Sequence, residues 1–293
     1  MLRSLALLSA LALGFCATAP LSAQTPASWT TPVPPHRVAG NLYYVGSKDL
    51  ASYLITTPDG HILINSSLEE SVPLIRDSVE KLGFKFTDIK ILLISHAHSD
   101  HCAGSAEIKK LTGAQYIVSA QDAPAVESGG ATKSRLRVAD YLMFPPAKVD
   151  RTVTDREEVK LGGSVLVAHL TPGHTPGCTT WTMKVEENGK TLDAVIIGSP
   201  NVNPGYILVN NKTYPGIATD YERTFHILKS LPVDLFLGAH GGYYDMERKV
   251  KLLETPGAAN PFIDPEGYHR YVDDRKQAFL KELEKQKQKK AQP

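Results

Sequence analysis

Apolar and polar residues alternate in short segments over the first part of this chain. Residues 42–45, 52–56 and 62–65 each carry the period of a strand, and the turn residues Gly46-Ser47 and Pro58-Asp59-Gly60 separate them. That spacing predicts an antiparallel meander. Before it, residues 24–37 are rich in Pro and Thr and read as an irregular arm. After it the period changes. Val72, Leu74, Ile75, Val79 and Leu82 recur at helical spacing, and Gly83 closes a helix over residues 71–82. Ile91-Leu92-Leu93-Ile94 is an unbroken apolar run, the pattern of a strand covered on both faces. A second helix over residues 103–111 stops at Gly113, and a strand follows over residues 116–119.

Over residues 121–148 the periodicity fades, with Gly129-Gly130 and Pro145-Pro146 inside the stretch. Such an excursion is either a lid or binding surface, or a loosely packed linker. Then the theme recurs. Residues 152–153, 158–159 and 164–170 read as strands, as do 179–185 and 192–197 around a turn at Asn188-Gly189. A helix over residues 220–231 carries Tyr221, Phe225, Ile227 and Leu228, and an apolar strand follows over residues 233–237. Tyr268, Val272, Phe279 and Leu283 mark a last, docked helix. Strands, helix and strand, twice over, predict two similar α/β halves packed sheet on sheet with helices outside, an αββα sandwich.

Residues 1–23 do not belong to that pattern. Met1-Leu2-Arg3 starts positive, residues 5–17 are almost all apolar or small, and Leu21-Ser22-Ala23 offers a cleavage site. This reads as a secretory signal, too short to span a membrane, ahead of a single domain over residues 24–293. The expectation is a periplasmic protein with no stable membrane anchor, and a monomer. A formal charge of +1 over 293 residues gives no reason to expect nucleic acid. The local exception is residues 275–290, with seven Lys/Arg against two Glu: a solvated tip, or a contact for a membrane surface or anionic partner. Cys102 and Cys178 remain once the signal is removed. In an exported chain they either pair or sit as two small buried residues beside metal ligands.

The chemistry concentrates at His96-Ala97-His98-Ser99-Asp100-His101, directly after the apolar run. Three of the chain's ten histidines and a carboxylate fall within six positions. Four titratable groups packed together without a cation are electrostatically costly. In extended chain, residues i and i+2 point the same way, so His96 and His98 can grip one ion. His174, framed by Pro172, Gly173, Pro176 and Gly177, and His240, between Gly238 and Gly241-Gly242, also follow predicted strands. In α/β folds those carboxyl ends line the ligand crevice. His96, His98 and His174 are assigned to a first ion, and Asp100, His101 and His240 to a second. Three protein ligands per zinc leave positions for water, as in catalytic sites. Two such Zn2+ ions, roughly 3.5–4 Å apart, share a hydroxide near neutral pH. A second oxygen of Asp100 can orient the attacking water. His36, His61, His169, His226 and His269 have no metal-like neighbours and read as structural or solvated.

His-x-His-x-Asp-His, the later Gly-His-Thr-Pro-Gly and the late Gly-x-His resemble the metallo-β-lactamase superfamily, over nearly the whole chain after residue 23. The resemblance implies the αββα sandwich with a zinc site at one edge between the sheets. Thioester hydrolases, lactonases and RNA-processing members carry a metal-bridging Asp after the strand at 192–197. Here Gly198-Ser199-Pro200 offers neither carboxylate nor thiol. Ser199 there, with His101 as a ligand, resembles the third subclass of class B β-lactamases, as do the segments 175–181, 203–206 and 260–263. The chain lacks the late pair of cysteines found in some members. The resemblance implies a hydrolase that opens β-lactam rings by attack of metal-bound hydroxide, with Ser199 holding the substrate carboxylate. Asn201 and Asn203 are candidate partners for that carboxylate, or plain turn residues. The rival readings are a lactonase or thioesterase, and a secreted zinc-binding protein without turnover.

Overall fold

The computed structural model describes residues 25–130, 143–255, 257 and 259–291. The signal read over 1–23, and residues 131–142 of the long excursion, lie outside them. Among the described residues one sheet runs in chain order through β1 (His36–Ala39), β2 (Leu42–Tyr44), β3 (Tyr53–Thr57), β4 (Gly60–Ile64), β5 (Ile89–Leu93), β6 (Gln115–Ser119) and β7 (Arg151–Val153). The first four pair antiparallel, as the meander predicts. From β4 onward the pairing is parallel. Parallel neighbours need crossovers, and α1 (Val72–Lys81), α2 (Ser99–Cys102), α3 (Ser105–Thr112) and α4 (Ala123–Glu127) lie in them. The second sheet contains β8 (Glu158–Leu161), β9 (Ser164–Leu170), β10 (Thr179–Glu187), β11 (Lys190–Ile197) and β12 (Leu235–Gly238), in the order β12-β11-β10-β9-β8. Helices α5 (Ile217–Ser230), α6 (Met246–Leu253) and α7 (Pro265–Ala291) complete the chain.

Side-chain parity assigns the two faces of the first sheet. Tyr53, Ile55, Ile62, Ile64, Ile91 and Leu93 join one apolar cluster with Leu166, Trp181, Met183 and Ala194 of the second sheet. Their neighbours Leu54, Leu63 and Leu92 join another with Val72, Ile75, Val79 and Ile108 of α1 and α3. Period two divides each strand between the inter-sheet core and the helix layer. Near-continuous apolar runs such as that of β5 are the signature of strands buried on both sides. The last helix docks through the four positions its spacing marks: Tyr268, Val272, Phe279 and Leu283 are all buried. Phe279 stacks on Tyr221 of α5 at 5.2 Å between ring centroids. No described helix is long and apolar enough to cross a membrane.

Four local expectations are corrected. The arm is not irregular throughout, because His36 already pairs with Tyr44 in β1, its ring between Tyr44 and Phe262 at 5.1 and 5.8 Å. Residues 152–153, grouped by sequence with the second half, close the first sheet as β7 beside β6. The helix expected over 103–111 starts later, as α3 at Ser105, and a separate short helix, α2, precedes it over Ser99–Cys102; Gly104 lies between them, and a Cβ there would fall 2.7 Å from the Ser66 carbonyl oxygen. The described part of the excursion is packed, with α4 placing Val126 against Phe144 and Ala147 in the helix-side cluster. Each correction involves partners far away in sequence, which local periodicity does not report.

Docking of α7 rests on Phe279. Truncating Phe279→Ala should cost about 3–5 kcal/mol in denaturant unfolding. A loss of only a few tenths would show that the helix does not hold the second sheet.

Candidate metal centre

Hydrogen bonds from both halves pin the end of β5. Asn65 Oδ1 accepts the Ser95 N–H at 2.8 Å, and the Trp181 indole N–H donates to the Ile94 carbonyl at 3.0 Å. The chain then bends through His96, Ala97 and His98 and enters α2, which carries Asp100 and His101. His98, the residue that caps α2, is itself extended, with φ −102° and ψ 150°, and its ring meets that of His96 at 4.7 Å. Beyond β9 the turn at Gly173 aims His174 inward. Gly173 has φ +128°, and a Cβ there would lie 2.8 Å from the Tyr221 ring, so only glycine fits. Gly238 ends β12, and Ala239 leads on to His240.

All six predicted ligands converge. Ring centroids lie 4.6 Å apart for His96–His174, 4.7 Å for His98–His174, 4.3 Å for His96–His101 and 4.9 Å for His101–His240. His98 Nδ1 and His174 Nε2 are 3.1 Å apart. Two nitrogens bound tetrahedrally to one zinc ion stand roughly 3.3 Å apart, so this pair is already near that spacing. Asp100 Oδ2 lies 3.2 Å from His101 Nε2 and 3.4 Å from His240 Nε2. His96, His98 and His174 have ligand atoms mutually within 4.8 Å, and so do His96, Asp100 and His101; His240 joins the second group through Asp100.

The rings are held from behind. His174 Nδ1–H donates to the Asn201 carbonyl at 2.8 Å, and that same oxygen accepts the Tyr221 hydroxyl at 2.6 Å. This fixes the tautomer and leaves Nε2 as a lone pair facing His98. His240 Nδ1 donates to Asp49 Oδ2 at 3.0 Å, and Asp49 Oδ1 accepts the Gly242 N–H at 3.0 Å. Tyr243 packs on His240 at 5.1 Å.

Electrostatics agree with a cation site. Burial, then neighbouring imidazoles, hold His96 and His174 well below the usual imidazole range. Burial likewise brings His98 down to about 4, against the pull of Asp100. These rings are neutral at pH 7 and present lone pairs. Burial works to raise Asp100, but His101 and His240 outweigh it and keep the carboxylate ionised. His240 is the opposite case: burial lowers it, and the hydrogen bonds to Asp100 and Asp49 raise it to about 9. His96 Nε2 and both ring nitrogens of His101 are buried without a hydrogen-bond partner. His101 Nε2 has the Asp100 carboxylate 3.2 Å away. A buried polar atom left unpaired costs about 1–3 kcal/mol. Several around one point, beside an ionised carboxylate, make a donor set that fits divalent zinc.

The candidate substrate residues border this centre in different ways. Ser199, directly after β11, is buried, with its hydroxyl 3.2 Å from that of Tyr243. Asn201 supports His174 with its main chain. Asn203 is half-buried and lines a cleft of about 630 Å³ with Arg275 of α7. Cys102 and Cys178 are both free and buried, so the unpaired reading holds. Burial pushes the Cys178 thiol up to about 12. Sequence reasoning missed Asp49, Tyr243 and the Asn201 carbonyl. No local pattern marks them, because each acts on a histidine far away in the chain.

A family model described as the metallo-beta-lactamase superfamily matches residues 50–240. Among solved structures, the chain is similar to the native FEZ-1 metallo-beta-lactamase from Legionella gormanii: 54% identity, 88% of this chain and 98% of that one, TM-score 0.86. It is also similar to BJP-1, a subclass B3 metallo-beta-lactamase of Bradyrhizobium japonicum: 40% identity, 89% and 97% coverage, TM-score 0.83. Among curated relatives, a hydroxyacylglutathione hydrolase from Rhodopseudomonas palustris (strain BisB5) is 33% identical over 127 residues, 43% of this chain and 40% of that protein. The chain thus matches only two fifths of that relative's length.

The two buried thiols yield a simple check. A thiol reagent should leave folded protein of residues 24–293 unmodified, and titrate both Cys102 and Cys178 in denaturant without reductant. A missing thiol under those conditions would mean that the cysteines pair.

Proposed function

The chain belongs to the metallo-beta-lactamase superfamily, and we propose that it is a periplasmic, zinc-dependent hydrolase that opens the ring of β-lactam antibiotics and works with two ions. The similarity to the FEZ-1 metallo-beta-lactamase over 98% of that chain is the observation that carries this reading. The six converging His and Asp side chains supply the donor set such chemistry needs. We assign His96, His98 and His174 to one ion, and Asp100, His101 and His240 to the other. Zinc held there supplies Lewis acidity, which polarises a carbonyl and lowers the pKa of water toward about 7.

The protein's own groups do the rest. His96, His101 and His174 form the buried wall of the centre, while His98, Asp100 and His240 are partly exposed, so substrate approaches from their side. Asp100 accepts a hydrogen bond from the attacking water and orients it toward the carbonyl carbon. Asn201 and Asp49 keep the His174 and His240 rings from rotating. The Ser199 hydroxyl, with the side chains of Asn201 and Asn203, receives the substrate carboxylate as neutral donors. The apolar segment over residues 1–23 supports export. A thioesterase reading draws on the hydroxyacylglutathione hydrolase relatives, but those matches are partial. The position after β11, where the superfamily's thioesterases are expected to carry an Asp, holds Ser199.

The test is a substrate panel. Purified protein of residues 24–293 should hydrolyse a penicillin, a cephalosporin or a carbapenem, and a chelator should abolish the turnover. Turnover of only a lactone or a thioester would overturn the β-lactam assignment; zinc binding with no turnover of any would overturn the enzyme. Asp100→Asn and His240→Ala should each lower kcat/KM by about 100-fold or more with the fold retained by circular dichroism. Near-normal rates in both would refute their roles.

A further inference from the structure

Asp122 follows β6 and is 2% exposed. Its carboxylate takes three hydrogen bonds. Oδ2 accepts the Ala97 N–H at 2.9 Å and the Thr175 hydroxyl at 2.7 Å, and Oδ1 accepts the Gly177 N–H at 2.8 Å. Ala97 lies between His96 and His98; Thr175 and Gly177 follow His174. The first loop extends from the first sheet and the second from the second sheet. One side chain therefore ties together the two histidine-bearing loops that must share an ion.

The contact is tight. A Cβ on Gly177 would lie 2.1 Å from Ser119 Oγ and 2.6 Å from Asp122 Cγ. Ser119 Oγ also donates to the Gly177 carbonyl at 2.7 Å. All three partners of the carboxylate are donors, so the pocket is built for an acceptor on both oxygens. Among the described residues no Lys or Arg pairs with it. A buried carboxylate without a cationic partner is costly to maintain, and this one is placed where it sets the separation of two ligand loops. Metal–ligand distances tolerate only about ±0.2 Å, so that separation matters.

We propose that Asp122 is a positioning residue for the metal centre, holding the His96–His98 loop and the His174 loop at the separation that a shared ion requires. The inference rests on the reading that zinc binds this histidine set.

The decisive variant is Asp122→Asn, which keeps size and shape. In either amide orientation its NH2 faces at least one backbone N–H, that of Ala97 or of Gly177. Zinc affinity is measured by competition with a chromophoric chelator, beside thermal unfolding of the metal-free protein. The dissociation constant of the tighter zinc should rise about 10–100-fold in Asp122→Asn. The visible spectrum of the cobalt-substituted protein should change with it. Thr175→Ser should bind like wild type and Thr175→Val more weakly. An Asp122→Asn protein with a lowered melting temperature but zinc affinity within about twofold of wild type would overturn the proposal, since a group that holds the histidine loops in place acts on affinity. If Asp122→Asn does not fold, Thr175→Val decides in the same way. Wild-type protein that binds no zinc would refute the metal reading itself, an outcome distinguishable from the failure of Asp122.

Discussion

Sheet-on-sheet packing is the constraint on which everything else depends. The carboxyl ends of β5, β9, β11 and β12 belong to two different sheets, and they become one site only because the sheets face each other in a fixed register. Trp181 shows how the register is held. Its ring sits in the core between the sheets, and its indole N–H donates to the Ile94 carbonyl, two residues before His96. The Thr179 N–H donates to the Ser95 carbonyl at 2.7 Å, a second stitch between the halves. Apolar burial sets the distance between layers; a few directional bonds set the offset along them.

The price of that arrangement is local discomfort at the site. Histidine nitrogens are buried without partners, and an ionised carboxylate lies among imidazoles. Asn65 and Ser67, which line the same edge, have φ of 65° and 54°, in the left-handed region. A core chosen for stability alone would not carry such groups. Their clustering at one end of the sandwich, away from the apolar core between the sheets, separates the part that folds the chain from the part that works.

Support around the converging histidines is as specific as the cluster itself. Each of the two late histidines has an acceptor behind it: the Asn201 carbonyl for His174, and Asp49 for His240. These acceptors, Asp49 and Asn201, stand far apart in the chain and on different halves of the fold. Asn201 also receives the Tyr221 hydroxyl, which links the His174 ring to α5 and thereby to the α7 docking surface. Helices α5 and α7 thus bear on the site through packing, without contributing a side chain to the cluster.

Much was legible in the residues alone. Period-two and helical spacing located most strands, the first crossover helix and the four buried positions of α7, because burial on one face imposes that period on any sequence. The histidine cluster and the two glycine-framed histidines picked out the residues that converge at one end of the sandwich, because few other uses justify those residue types at strand ends. Tertiary structure alone decided the rest. That β7 closes the first sheet, that Cys102 and Cys178 stay apart as thiols, and that Asp49, Asn201 and Asp122 brace the centre are all facts about partners far apart in sequence. A hydrogen bond across the fold leaves no period in the chain, so only the folded arrangement reveals it.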